Sequence, residues 1–170
     1  MTEEIRMVAR TALVLFVALV LQVGLFDELR VFSVHPELLL AVGIATAVAW
    51  GPERGVVVCF VAGLLADLIL SGRFGVTALA WGVAGYGVGR LSDAVARRSH
   101  FIDAGLMALG SAAAVMLYAV VAALFGESTL GDDHLWRIIG IVTAWNVLLS
   151  PIVLPVARWA GREPELRPVR

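Results

Sequence analysis

Apolar residues form six runs along the chain, and short polar segments separate them. The runs are Thr11–Phe26, Leu38–Trp50, Gly55–Leu70, Phe74–Gly89, Ala104–Phe125 and Ile138–Ala157. A straight helix needs about 20 apolar residues to cross a bilayer, and only the last two runs reach that length comfortably. A shorter run can be accommodated by bilayer thinning or by burial among neighbouring helices. The pattern predicts an all-α membrane protein, a compact bundle of six transmembrane helices.

Composition agrees with this pattern and limits the possible functions. The chain has 170 residues, of which 60% are hydrophobic and 16% charged, and its mean hydropathy is +0.90. Soluble domains carry about 25% charged residues. We expect one transmembrane domain over residues 1–160 and a short disordered cytoplasmic tail over residues 161–170. The net charge of −1 argues against nucleic acid as a partner.

Arginine placement predicts the orientation, because cytoplasmic loops are enriched in basic residues. If the N-terminus is cytoplasmic and all six runs span, ten arginines lie inside and three outside. The three outside are Arg30, Arg73 and Arg137. Both termini are therefore predicted to be cytoplasmic.

Asp67 is the one acid within the third apolar run, about one turn before its outer end. The helix dipole disfavours an acid there by roughly 0.3–1 kcal/mol, and burial in hydrocarbon costs about 2.5–3.5 kcal/mol at the bilayer centre. Water, Arg73 or a partner protein could compensate. The carboxylate could simply reach the outer interface, or it could have a role in a pocket or in partner contact.

Small residues recur at four-residue spacing in the third and fourth segments. We expect Gly55, Gly63, Gly82, Gly85 and Gly89 to let helices pack closely, because small residues allow close backbone approach in membranes. Packing within the bundle is one interpretation of these stripes, and a homodimer face is the other.

Two further polar residues and two prolines lie in apolar runs. Gln22 and Asn146 can form hydrogen bonds between helices, and for Asn146 we expect a structural role. Pro151 and Pro155 each remove a helical donor, and Ser150 is available to bond a carbonyl that this leaves unpaired.

Residues with the chemistry of catalysis or metal binding do not form a recognisable set in the sequence. Cys59 lies alone in an apolar run, and Asp132-Asp133-His134 is better explained as the start of a helix than as a metal site. No nucleophile with a base and no phosphate-binding glycine loop is present. We expect a non-enzymatic protein without metal or cofactor.

The central third of the chain resembles the rod shape-determining protein MreD family. The matching motifs are Pro36-Glu37-Leu38-Leu39-Leu40 at the start of the second segment, the inner turn Gly51-Pro52-Glu53-Arg54-Gly55, Phe60, Gly63, Leu64 and Asp67 in the third segment, and Gly75 after the outer turn. The specific match covers about Pro36–Gly89. The resemblance implies a fold similar to the S components of energy-coupling-factor transporters.

The resemblance also implies a function without catalysis. MreD is a subunit of the Rod complex, or elongasome, which makes peptidoglycan in the bacterial cytoplasmic membrane. Its implied partners are MreC directly, RodA and a class B penicillin-binding protein within the complex, and MreB indirectly. Membrane lipid is the remaining contact. We expect an outward-facing pocket for MreC, with Gln22, Glu37, Asp67, Arg73, Phe74 and Trp81 near it.

A vitamin-binding S component is the alternative, since such proteins have a similar size and a glycine-rich third helix that ends in an acid. S components typically carry an Ala-x-x-x-Ala pattern in the first helix. Here Ala9, Ala12 and Ala18 are each followed four residues later by a larger residue, so the pattern is absent.

Overall fold

The structure is a computed structural model that describes residues 2–24, 37–69, 74–95, 99–126 and 134–161. These residues form six helices and, within the same ranges, no strand. The helices are α1 Thr2–Gly24, α2 Leu38–Trp50, α3 Pro52–Ile69, α4 Val76–Ala94, α5 His100–Leu124 and α6 His134–Ala160. The predicted all-α bundle is confirmed. The predicted tail falls outside the described residues after Gly161.

Three of these helices are long and apolar enough to cross a membrane. Their qualifying ranges are Glu4–Gly24, His100–Leu124 and Leu135–Ala160. All three begin before the predicted apolar runs, because the helices continue past the apolar residues into polar flanks that a hydropathy pattern does not assign. The bounds of α2 agree with the prediction.

Helix α2 is the centre of the bundle. All its residues from Leu38 to Val48 are buried, and each of the other five helices packs against it. Its 13 residues make a helix of about 20 Å, shorter than the roughly 30 Å hydrocarbon core of a bilayer. A helix that is apolar on every side is typical of full burial. The surrounding helices therefore take the place of lipid around α2.

The turn between α2 and α3 consists of one residue outside the helices. Gly51 has φ 81° and ψ −172°, a conformation that is essentially restricted to glycine. Its N–H donates to the Ala47 carbonyl at 3.0 Å, and its own carbonyl accepts from Gly55 N–H at 3.0 Å. Pro52 then begins α3, where its missing N–H has no helical partner to lose. The two helices are thereby held antiparallel.

Helices α3 and α4 pack along a seam of small residues. A Cβ on Gly63 would lie 2.6 Å from Ala78 Cα, and one on Gly85 would lie 2.5 Å from Cys59 Sγ. At Gly82 the nearest atom, Phe60 Cβ, would be at 3.5 Å, an ordinary contact. The seam therefore has no room for a side chain at Gly63 or Gly85, whereas it has room for a methyl group at Gly82.

Two more of the predicted packing glycines lie close to the start of α3. Gly55 belongs to α3 itself, and Gly89 belongs to α4. A Cβ on Gly55 would lie 2.6 Å from Ala47 Cβ, and one on Gly89 would lie 2.5 Å from Pro52 Cα. The close approach therefore extends from the α3–α4 seam to the turn at Gly51.

Helix α6 makes one buried polar contact with α5 and one within its own backbone near Pro151. Asn146, which is fully buried, donates from Nδ2 to Ser111 Oγ of α5 at 2.8 Å. Ser150 Oγ donates to the Val147 carbonyl at 2.7 Å, as predicted for the carbonyl that Pro151 leaves without its helical donor.

The end of the bundle that contains the Gly51 turn, called here the Gly51 end, is fastened by contacts to the last turns of α6. Trp50 Nε1 donates to the Ala157 carbonyl at 3.0 Å. Arg158 pairs with the buried carboxylate of Asp103 at the start of α5. These contacts hold α2, α5 and α6 together at this end.

We expect Gly63→Ala to lower the stability of the protein in detergent by about 1–3 kcal/mol, because its methyl group meets backbone atoms of α4 that cannot move aside. Gly82→Ala is the matched control, with space for the same methyl group in the same seam. Thermal unfolding of both variants gives the comparison. Equal melting temperatures would contradict the seam described here.

Candidate partner-binding site at the Asp67 end of the bundle

The end of the bundle opposite Gly51, called here the Asp67 end, contains the end of α3 and the start of α4. Asp67 Oδ2 accepts from Gly75 N–H at 2.8 Å and from Ala78 N–H at 3.3 Å. Asp67 is 7% exposed. Gly75 is the N-cap of α4, has φ 92° and supplies no side-chain cap of its own. The carboxylate of α3 therefore caps the next helix.

This arrangement explains why a buried acid is tolerated at the end of α3. The C-terminal dipole of its own helix disfavours the charge, whereas the N-terminal dipole of α4 and two of its amides favour it. The sequence predicts water, Arg73 or a partner protein as compensation for the cost of burying the charge of Asp67. The amides of α4 are a fourth source, and Arg73 lies outside the described residues.

A second cap of the same kind lies at the start of α2. Gln22 Oε1, near the end of α1, accepts from Leu39 N–H at 3.0 Å. Glu37, the N-cap residue of α2, makes no side-chain cap, and its Oε2 is buried without a hydrogen-bond partner among the described residues. Gln22 thus accepts from the Leu39 amide at the start of α2, where the Glu37 side chain makes no cap.

The remaining predicted pocket residues differ in exposure. Trp81 is 2% exposed and packs in the core, whereas Phe74 is 65% exposed. Of the predicted residues that the structure describes, Asp67 and Gln22 hold helix ends and Trp81 fills the interior. Phe74 presents its ring at the surface beside the Gly75 cap.

A cavity of about 520 Å³ lies elsewhere, between α1 and α3. Its lining consists of Met7, Val8, Thr11, Ala12, Leu15, Phe16, Leu19, Trp50, Glu53, Arg54, Val57, Val58, Val61 and Leu65. None of the predicted pocket residues is among them. The sequence shows that α1 is apolar on all sides over residues 12–21, but it does not show which side the neighbouring helices leave uncovered.

Potential metal ligands are not clustered in the described part of the chain. No group of three or more His, Cys, Asp or Glu residues is close enough there to hold an ion. Cys59, the one cysteine, is fully buried against the small-residue seam. Its position is that of a packing residue.

The model of the family described as rod shape-determining protein MreD matches residues 1–156. The chain therefore belongs to the MreD family, as the resemblance in its central third predicted, and its role is in rod shape determination. It is a membrane protein, and its family is a shape-determining one rather than a known enzyme family. Neither the curated proteins nor the solved structures include a significant match.

We expect Asp67→Leu to insert in the membrane but to lose about 1–3 kcal/mol of stability, because amides at the start of α4 lose their acceptor. Asp67→Asn retains an acceptor oxygen and should lose less. Glu4→Gln removes an acid from the exposed face of α1 and serves as the control. Melting temperatures in detergent would be compared. Equal melting temperatures for Asp67→Leu and Glu4→Gln would contradict the capping role of Asp67.

Proposed function

We propose that this MreD-family chain is a non-catalytic subunit of the Rod complex and that it binds MreC directly at the Asp67 end of the bundle. Binding there would support peptidoglycan synthesis during elongation. RodA and a class B penicillin-binding protein would associate with it through the complex, and MreB indirectly. The observation that carries the proposal is the juxtaposition of an exposed aromatic residue, Phe74, with a rigidly capped helix start.

Phe74 and Asp67 would have different parts in this interaction. Phe74 is accessible and precedes Gly75, so its ring is available to a membrane-proximal segment of the partner. Aromatic residues are enriched at the energetic centres of protein interfaces. Asp67 is buried and already accepts two backbone hydrogen bonds. It would act from within, by fixing the position of the α4 start that carries Phe74 and Gly75.

The proposed location is the bacterial cytoplasmic membrane, with both termini in the cytoplasm. The excess of arginines on the side of the termini supports this orientation. It directs the Asp67 end outward, where the extracytoplasmic part of a single-span partner would meet it. In this proposal the outward-facing pocket is a surface around Phe74. Arg73 and Glu37 are further candidates for contact with MreC.

Phe74→Ala should reduce the amount of MreC that is recovered with the tagged protein from native membranes, with no change in its melting temperature. The expected loss of affinity is about thirtyfold or more, since truncating an aromatic anchor costs about 2 kcal/mol or more. Phe101→Ala is the matched control. Phe101 is 90% exposed and lies at the Gly51 end, on the first turn of α5.

Undiminished recovery of MreC with Phe74→Ala would contradict the proposed surface. Equal losses with Phe74→Ala and Phe101→Ala would contradict its location at the Asp67 end. A vitamin bound to the purified protein would favour the S-component alternative and overturn the scaffold function.

A further inference from the structure

Glu37 differs from Asp67, the other acid described at the same end of the bundle. Asp67 accepts hydrogen bonds from two amides at the start of α4. The Glu37 side chain makes no cap, and its Oε2 is buried without a hydrogen-bond partner among the described residues. A buried carboxylate oxygen without a donor is costly, because nothing offsets its loss of water. Departures of this kind are expected at sites of function, where local rules are broken for a reason.

The structural role that Glu37 could have is filled by another residue. Glu37 is the N-cap residue of α2, and its carbonyl accepts from Ala41 N–H at 3.0 Å. An acid at a helix start can bond the free amides of the first turn. In α2, however, Gln22 of α1 accepts from the Leu39 amide at 3.0 Å. The Glu37 carboxylate is therefore not needed as a cap.

The surroundings of Glu37 favour a negative charge and supply no cation to its buried oxygen. The N-terminal dipole of α2 favours an anion at this position. No described arginine bonds Glu37 Oε2, and Arg158 pairs with Asp103 at the opposite end of the bundle. A guanidinium or ammonium group would both donate to the carboxylate and offset its charge. Charge complementarity therefore indicates a basic side chain as the missing partner.

Glu37 lies at the end of the bundle that carries the proposed partner surface. Helix α2 begins at the Asp67 end, because its other end is the turn at Gly51. Helix α4 also begins there, and the two helices pack against each other. Glu37 as a whole is half-buried, so part of the residue remains accessible although Oε2 does not. Glu37 and the exposed Phe74 are therefore both within reach of a partner at this end.

We propose that Glu37 binds a lysine or arginine side chain of MreC, from the extracytoplasmic segment next to the membrane span of MreC. This contact presupposes the binding of MreC at the Asp67 end that is proposed above, and it specifies the chemistry of that interface. Phe74 supplies an apolar contact, and Glu37 supplies a charge. The basic group of MreC completes an ion pair for which the described residues provide the anion.

Binding titrations of the purified full chain with MreC in detergent test this contact. Glu37→Gln keeps the size of the side chain and removes its charge, as protonation of the carboxylate also would. It should lower the affinity for MreC at least about thirtyfold, the factor expected when one member of a buried charge pair is lost. Glu53→Gln is the matched control, at an exposed acid of the Gly51 end, and should bind MreC as the wild type does.

The melting temperature distinguishes this role from a structural one. Glu37 and Glu53 both lie at a helix N-terminus, so both variants lose a similar interaction with a helix dipole. Glu37→Gln should melt no lower than Glu53→Gln, because it removes a buried charge that has no partner within the protein. A clearly lower melting temperature for Glu37→Gln would assign the residue to the fold and overturn the proposal.

Charge reversal identifies the basic group of the partner. Glu37→Lys should abolish MreC binding, and glutamate in place of one lysine or arginine in the membrane-proximal segment of MreC should restore it. Failure of every such replacement to restore binding would contradict the proposed ion pair. MreC binding that is lost with Phe74→Ala but kept with Glu37→Gln would overturn this contact alone. Absence of MreC binding by the wild type would overturn the proposed function itself.

Discussion

Backbone amides and carbonyls inside a bilayer need partners within the protein, because lipid offers none. Helix ends are where this requirement is hardest to meet, since their terminal groups have no partner in the helix itself. This chain meets it with side chains from neighbouring helices. Asp67 of α3 and Gln22 of α1 accept from the starts of α4 and α2. Ser92 and Trp50 donate to carbonyls near the ends of α2 and α6.

Because side chains of one helix cap the end of another, each capped end depends on how the two helices pack. Asp67 reaches the start of α4 because the α3–α4 seam brings the two backbones together at Gly63 and Ala78. A larger side chain in the seam would move the acceptor away from the amides as well as open the packing. The small-residue stripe and the buried acid are therefore two parts of one structural arrangement. The short helix α2 can be central because its neighbours approach closely enough to cover it.

Local features of the chain were predictable from the sequence. The bounds of α2 followed from an apolar run between Glu37 and Gly51, and the seam glycines followed from their spacing. The partner of Asp67 was not predictable, because its acceptor role depends on where α4 begins in space and not on residues near it in α3. The same limit applies to the cavity between α1 and α3. The apolar run of α1 is visible in the sequence, but the separation of α1 from α3 is a property of the packed bundle.

The two ends of the bundle are built differently. The Asp67 end combines a fixed helix start with an exposed aromatic ring, and the Gly51 end joins α2, α5 and α6. Loss of the cap should affect the first end while leaving the second unchanged.

Amide hydrogen exchange in the first turn of α4 reports directly on the cap from Asp67. In the wild type, the amides of Gly75 and Ala78 should be protected. In Asp67→Leu they should exchange at least about tenfold faster, as the loss of about 1.4 kcal/mol or more from a hydrogen-bonded opening implies. Amides of α6 should be unchanged. Equal protection of Gly75 and Ala78 in both proteins would show that Asp67 does not cap α4.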